Sequence, residues 1–101
     1  EGNTLPTPKL IISQVSKYYS VDEQTLLGST KNKATVEARH LAVYLVRKLT
    51  NLSTPLIGKE FNRDHTTVLY SIERIEGKLN AGDETLKNHI RDITANINSC
   101  L

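Results

Sequence analysis

The sequence predicts an all-α protein, about six helices in a small bundle that contains a helix-turn-helix. Three observations carry this. Apolar residues recur at steps of three and four, as in Val68, Ile72, Ile75 and Leu79 and again in Leu86, Ile90, Ile93, Ile97 and Leu101. Val, Ile and Thr follow helical spacing rather than the alternation of a strand. Residues 53–79 hold two short helical patterns separated by a polar break, Asn62-Arg63-Asp64.

In chain order, residues 1–7 read as a flexible lead-in. Thr7-Pro8 opens the first helix, with Thr as cap and Pro where no N–H is needed. Ile11, Val15, Tyr18 and Tyr19 share its inner face. Ser20, with Glu23 three residues on, forms a capping box for a short helix that carries Leu26 and Leu27 and ends near Gly28. Residues 28–34 are polar, basic and without large apolar side chains, so they read as an exposed loop. A longer helix follows over residues 35–51, with Ala38, Leu41, Ala42, Leu45 and Leu49 as its core stripe. Arg39, Arg47 and Lys48 are expected on its other faces. Ser53 or Thr54 caps the next helix, Pro55 sits in its first turn, and Leu56, Ile57 and Phe61 share one face. Asn62 tolerates a left-handed turn, and Asp64 can cap the second motif helix. Residues 80–83 make a turn, and a last helix covers residues 84–101.

The 101 residues suit a single domain that folds without disulfides or metal. With no Trp and one Phe, the core must be built from aliphatic side chains. The lone Cys100 cannot form an internal disulfide, which fits a reducing, cytoplasmic compartment. No apolar run approaches the roughly 20 residues a membrane span needs, and no signal-peptide pattern opens the chain. A chain that begins at Glu1 reads as a fragment of something longer. The net charge of +2 is unevenly spread. From residue 31 to residue 63, seven basic residues stand against two acidic ones; the remainder carries six against nine. A local excess of this kind suits a polyanion, and also suits a merely uneven surface.

The start of the second motif helix reads Asp64-His65-Thr66-Thr67. Side chains at this place in a helix-turn-helix reach base edges in the DNA major groove, and all four can donate or accept hydrogen bonds. The basic loop can serve as a plain connector or as an arm on phosphates or in a minor groove. Asp64 as a cap needs no DNA; as a reader it would accept from cytosine N4. His89, in the last helix, reads as structural or solvated.

The stretches RDHTTVLYSIERIEGKL (residues 63–79) and EARHLAVYLVRKLTNLSTPLIGKEF (residues 37–61) resemble the C-terminal DNA-binding domain of the bacterial chromosomal replication initiators, the DnaA family. The likeness runs from about Leu10 to Leu101 and is strongest over residues 36–79. The resemblance implies a fold related to the Trp repressor and binding to short A/T-rich boxes at the replication origin. It implies base contacts in the major groove from Asp64, His65 and Thr66, with Thr67 near bases and phosphate. It implies backbone contacts from Arg39, Arg47, Thr54 and Pro55. Lys31 stands where the family often inserts an Arg in the minor groove, and His40 where a Gln is common. Lys33 and Arg63, in the same basic stretch, are further backbone candidates. The turn is one residue shorter than in many members, which carry paired Gly there. In the family, an upstream ATPase domain oligomerises on the origin; the isolated domain is expected to be a monomer.

Other chemistries find little support. His40, His65, His89 and Cys100 lack the close pairing of zinc ligands, so no metal or other cofactor is expected. No serine or cysteine triad is evident, and no Walker-type glycine loop is present, so the chain is not expected to be an enzyme. Two other readings stand beside origin binding: a helix-turn-helix transcription regulator, and a helical protein-interaction module whose charged loop is incidental.

Overall fold

The computed structural model describes residues 5–101; residues 1–4 of the expected lead-in lie outside it, and residues 5–7 carry no regular structure. The described residues form six helices and no strand: α1 (Pro8–Tyr19), α2 (Glu23–Leu27), α3 (Lys33–Leu49), α4 (Thr54–Phe61), α5 (His65–Asn80) and α6 (Glu84–Ser99).

α3 is the axis of the bundle and packs against α1, α2, α4 and α5. Its residues 41–46 are all buried. A helix that is apolar around its circumference lies inside a fold rather than on its surface. Ile11, Ile12 and Val15 of α1 close one side of this core. Ile57 and Phe61 of α4 with Val68, Ile72 and Ile75 of α5 close the other. Leu86, Ile93 and Ile97 seat α6, which packs on α1 and α5. Each such side chain contributes roughly 1.5–3 kcal/mol by leaving water. His89 joins this packing: its Nδ1 lies 3.2 Å from the Tyr19 hydroxyl, and its ring meets Tyr18 and Tyr19 edge-on.

Short polar side chains begin the helices. Thr7 Oγ1 accepts from Leu10 N at 3.1 Å, and Ser53 Oγ accepts from Leu56 N at 3.4 Å. Asp83 caps α6 by accepting from Leu86 N at 2.9 Å. The expected capping box at Ser20 does not form. Ser20 instead closes α1 in the left-handed region at φ 56°, and Asp22 caps α2 by accepting from Gln24 N at 3.1 Å. Asp22 wins because a left-handed residue directly after α1 cannot also supply the extended backbone of a cap.

The long helix starts and stops two residues earlier than its apolar stripe implies. Asn32 caps it, accepting from Ala34 N at 3.0 Å, so Lys33 belongs to its first turn and not to the loop. Two further expectations fail at the surface. Leu56 is 46% exposed, unlike Ile57 and Phe61 beside it. Leu101 lies past the end of α6 and is also exposed.

Candidate nucleic-acid interface

The motif is a tight corner between α4 and α5. Asn62 adopts φ 57°, ψ 44°, the left-handed turn that a short polar side chain tolerates. Arg63 N then donates to Gly58 O at 2.8 Å. This brings the Arg63 carbonyl so close to Gly58 that an added Cβ would lie 2.4 Å from its oxygen. Only glycine fits there. The sequence carried a hint of this, since a glycine inside a helix is costly unless something approaches closely.

Asp64 begins α5. Its Oδ1 accepts from Thr66 N at 2.8 Å, from Thr67 N at 3.4 Å and from the Thr66 hydroxyl at 2.5 Å. The Thr66 hydroxyl bond, followed by the two backbone N–H groups, holds the Asp64 carboxyl below its ordinary range. Oδ2 has no partner among the described residues. Because Thr66 spends its proton on Asp64, its hydroxyl presents acceptor lone pairs to the outside. His65, Thr66 and Thr67 are all exposed, and Leu69 and Tyr70 continue the outward face of α5 at 42% and 56% exposure. Sequence reasoning missed the last two; they fall one and two residues beyond the core position Val68.

The other expected residues gather around α5 in three hollows. Lys31, His40, Arg63, Thr67 and Tyr70 line a groove between the basic loop, α3 and α5. Arg47 and Thr54 line a second hollow with Leu69. Pro55, Asp64 and His65 line a third at the motif corner. Lys33 is exposed at the start of α3 and lines none of them. Exposed Arg47 donates to Leu52 O at 3.1 Å. His40 meets Tyr70 across the first groove; burial, then Arg74, Lys78 and Arg39, lower its pKa from 6.5.

Arg39 and Arg63 depart from the expected surface roles. Arg39 is only 8% exposed. Its Nε donates to Leu26 O at 2.7 Å, and its Nη2 to Thr30 O at 3.1 Å and Thr25 O at 3.4 Å. Burial, and then the nearby Arg63 charge, lower its pKa from the ordinary arginine value. Arg63 donates from Nη1 to Phe61 O at 3.0 Å and Leu27 O at 3.3 Å, and from Nη2 to Gly28 O. Both guanidiniums therefore face the carbonyl end of α2, where backbone acceptors and the helix dipole favour a cation. The physical reason is supply: a helix of five residues leaves most of its carbonyls unpaired, and the planar forks of arginine match them.

Residues 8–75 match the family described as the bacterial dnaA protein helix-turn-helix. Among curated relatives, "Chromosomal replication initiator protein DnaA 1" of Chlamydia pneumoniae is 38% identical over 98 residues, 97% of this chain and 21% of the relative. "Chromosomal replication initiator protein DnaA" of Mycobacteroides abscessus is 38% identical over 87 residues, 86% of this chain and 18% of the relative. The protein of the same name from Caldanaerobacter subterraneus is 38% identical over 91 residues, 90% and 20% respectively. The chain thus spans about a fifth of the length of the curated relatives it matches.

Proposed function

The chain belongs to the bacterial DnaA helix-turn-helix family, and from that premise we propose that it binds double-stranded DNA sequence-specifically, at A/T-rich origin boxes, in the initiation of chromosomal replication. The observation that carries this reading is the exposed start of α5, with three polar side chains ordered by the Asp64 cap and flanked by the basic loop. Such an end fits the major groove, and His65, Thr66 and the open oxygen of Asp64 are the base readers. Thr66 and Asp64 offer acceptors there, which suit adenine N6 or cytosine N4. Leu69 adds an apolar surface for a thymine methyl. Lys31 lies in the minor groove; Lys33, His40, Arg47, Thr54, Pro55 and Thr67 hold the sugar-phosphate backbone and fix register.

The proposed role is binding, not catalysis, and it needs no cofactor. It places the chain at the chromosome in the cytoplasm, as the DNA-binding part of a longer initiator that oligomerises on the origin, with the isolated domain a monomer. No helix among the described residues is long and apolar enough to cross a membrane. The test is selection of duplexes from a random pool, followed by titration of the selected sequence against a scrambled one. Enrichment of a short A/T-rich box with a clear affinity ratio is expected. Equal binding to both duplexes would remove the sequence-specific reading, and no binding to either would leave the helical interaction module.

A further inference from the structure

We propose that Arg63 is a positioning residue that fixes the basic loop relative to the recognition helix, and that it does so through protein carbonyls rather than through phosphate. The inference rests on the DNA-binding reading above.

Arg63 immediately precedes the cap of α5. Its backbone belongs to the motif corner, through the bond from its N to Gly58 O at 2.8 Å. Its side chain leaves that corner and reaches 35 and 36 residues back, to Gly28 O and Leu27 O. The same side chain also holds Phe61 O at the end of α4. One residue therefore ties together the end of α4, the start of α5 and the root of the loop that carries Lys31. Arg39 completes the attachment from α3 by holding Thr25, Leu26 and Thr30. Between them the two side chains occupy five carbonyls over residues 25–30, leaving Lys31 as the next residue, exposed and with no side-chain partner among the described residues.

A helix in a major groove and an arm in the adjacent minor groove read one continuous site only if their separation is fixed. Arg39 at Thr30 and the Asn32 cap tie the loop to α3, but among the described residues only Arg63 ties it to the motif corner that begins α5. A lysine in place of Arg63 would keep the charge but present a single ammonium on a flexible stem, which cannot span Phe61, Leu27 and Gly28 together. A phosphate contact, by contrast, would largely tolerate that exchange.

The experiment uses a duplex selected by the wild-type chain, prepared with A/T-rich and with G/C-rich flanks on the side of the loop. Fluorescence anisotropy titrations compare the wild type, Lys31→Ala, Arg63→Lys and the double variant, with circular dichroism to confirm folding. The wild type is expected to prefer the A/T flank by on the order of tenfold, the size of one base-pair discrimination. Arg63→Lys should lose most of that preference while still favouring the selected box over a scrambled duplex. Adding Lys31→Ala to Arg63→Lys should then change flank preference little. In Arg63→Gln the salt slope should match the wild type, because no phosphate partner is removed.

Wild-type flank preference in Arg63→Lys would overturn the proposal, as would a slope in Arg63→Gln shallower by about 0.9, the loss of one phosphate contact. Unfolding of Arg63→Lys would also overturn it, by making Arg63 a residue of global stability. Failure of the wild type to prefer its box over scrambled DNA is a different result: it would remove the DNA-reading premise itself.

Discussion

The imidazole of His40 meets the ring of Tyr70 edge to face, with centroids 5.8 Å apart and planes at 77°. The contact joins α3 to the outward side of α5, beside Lys31 and Thr67. It also places His40 where protonation is disfavoured, by burial first and then by Arg74, Lys78 and Arg39; Glu37 acts in the opposite sense. The folded-state pKa thus lies below the unfolded value of 6.5. The stability linked to neutral His40 is present above 6.5 and is lost as pH falls through the folded value. We expect the thermal midpoint of the wild type to fall between about pH 7.5 and pH 5.5 by more than that of His40→Gln. Parallel curves for the two proteins would remove His40 from the balance.

His65→Ala and Thr66→Ala test the reader. Both side chains are exposed, so stability should change by no more than about 0.5 kcal/mol for His65, as at ordinary surface sites. Thr66→Ala also deletes the hydroxyl bond to Asp64, and the Asp64 carboxyl should titrate closer to its ordinary value. On the selected box each variant should lose on the order of 1–3 kcal/mol, with binding to random DNA nearly unchanged. Competition titrations at two salt concentrations measure this; an unchanged box-to-random ratio in both variants would move the reading away from α5.

Gly58→Ala should be the most damaging single methyl in the motif. The new Cβ would meet the Arg63 carbonyl at 2.4 Å, and the obstacle is backbone. Relief requires opening the corner between α4 and α5. We expect destabilisation of about 1–3 kcal/mol in urea unfolding, typical of overpacking, together with loss of box preference. Gly77→Ala is the control: nothing lies within 4 Å of its added Cβ, and helix propensity favours alanine.

Arg39→Ala and Arg47→Ala should separate two uses of one residue type. Loss of Arg39 leaves the carbonyls of Leu26 and Thr30 without that donor, while Thr25 O keeps Gly28 N, and should cost about 2–3 kcal/mol of stability. Loss of the exposed Arg47 should leave stability within about 0.5 kcal/mol and make the salt dependence of DNA binding shallower by about 0.9. Denaturant curves and salt titrations on both variants check the contrast.

Much of this arrangement was legible because it is local. The stripe of Val68, Ile72 and Ile75, the Asp64 cap and the left-handed Asn62 each depend on neighbours within a few residues. Arg39 was misplaced because only one stripe of its helix was counted. Thr35, Ala42, Val43 and Val46 stand four before and three, four and seven after it, and all are buried. That second stripe puts Arg39 inside. The destination of Arg63 had no local signal, since its carbonyl partners lie on a loop that only the folded bundle brings near. Ser20 illustrates a motif overridden by its surroundings: the spacing to Glu23 was right, but α1 needed Ser20 as its terminus. The assignment of DNA contacts to single side chains rests on the family resemblance.

The brevity of α2 has a consequence for the order in which the chain folds. Five residues cannot repay the cost of nucleating a helix by themselves. α2 therefore persists because Leu26 is buried and because side chains from α3 and the motif corner occupy its carbonyls. Arg63 is in place only once the corner between α4 and α5 has formed against the bundle, so α2 and the loop behind it should consolidate after the rate-limiting step. Substitutions there should accelerate unfolding and leave the refolding rate almost untouched, whereas truncation of Leu41 or Val68 should slow refolding. The loop that carries Lys31 would then be the last part of the bundle to assemble and the first to come loose.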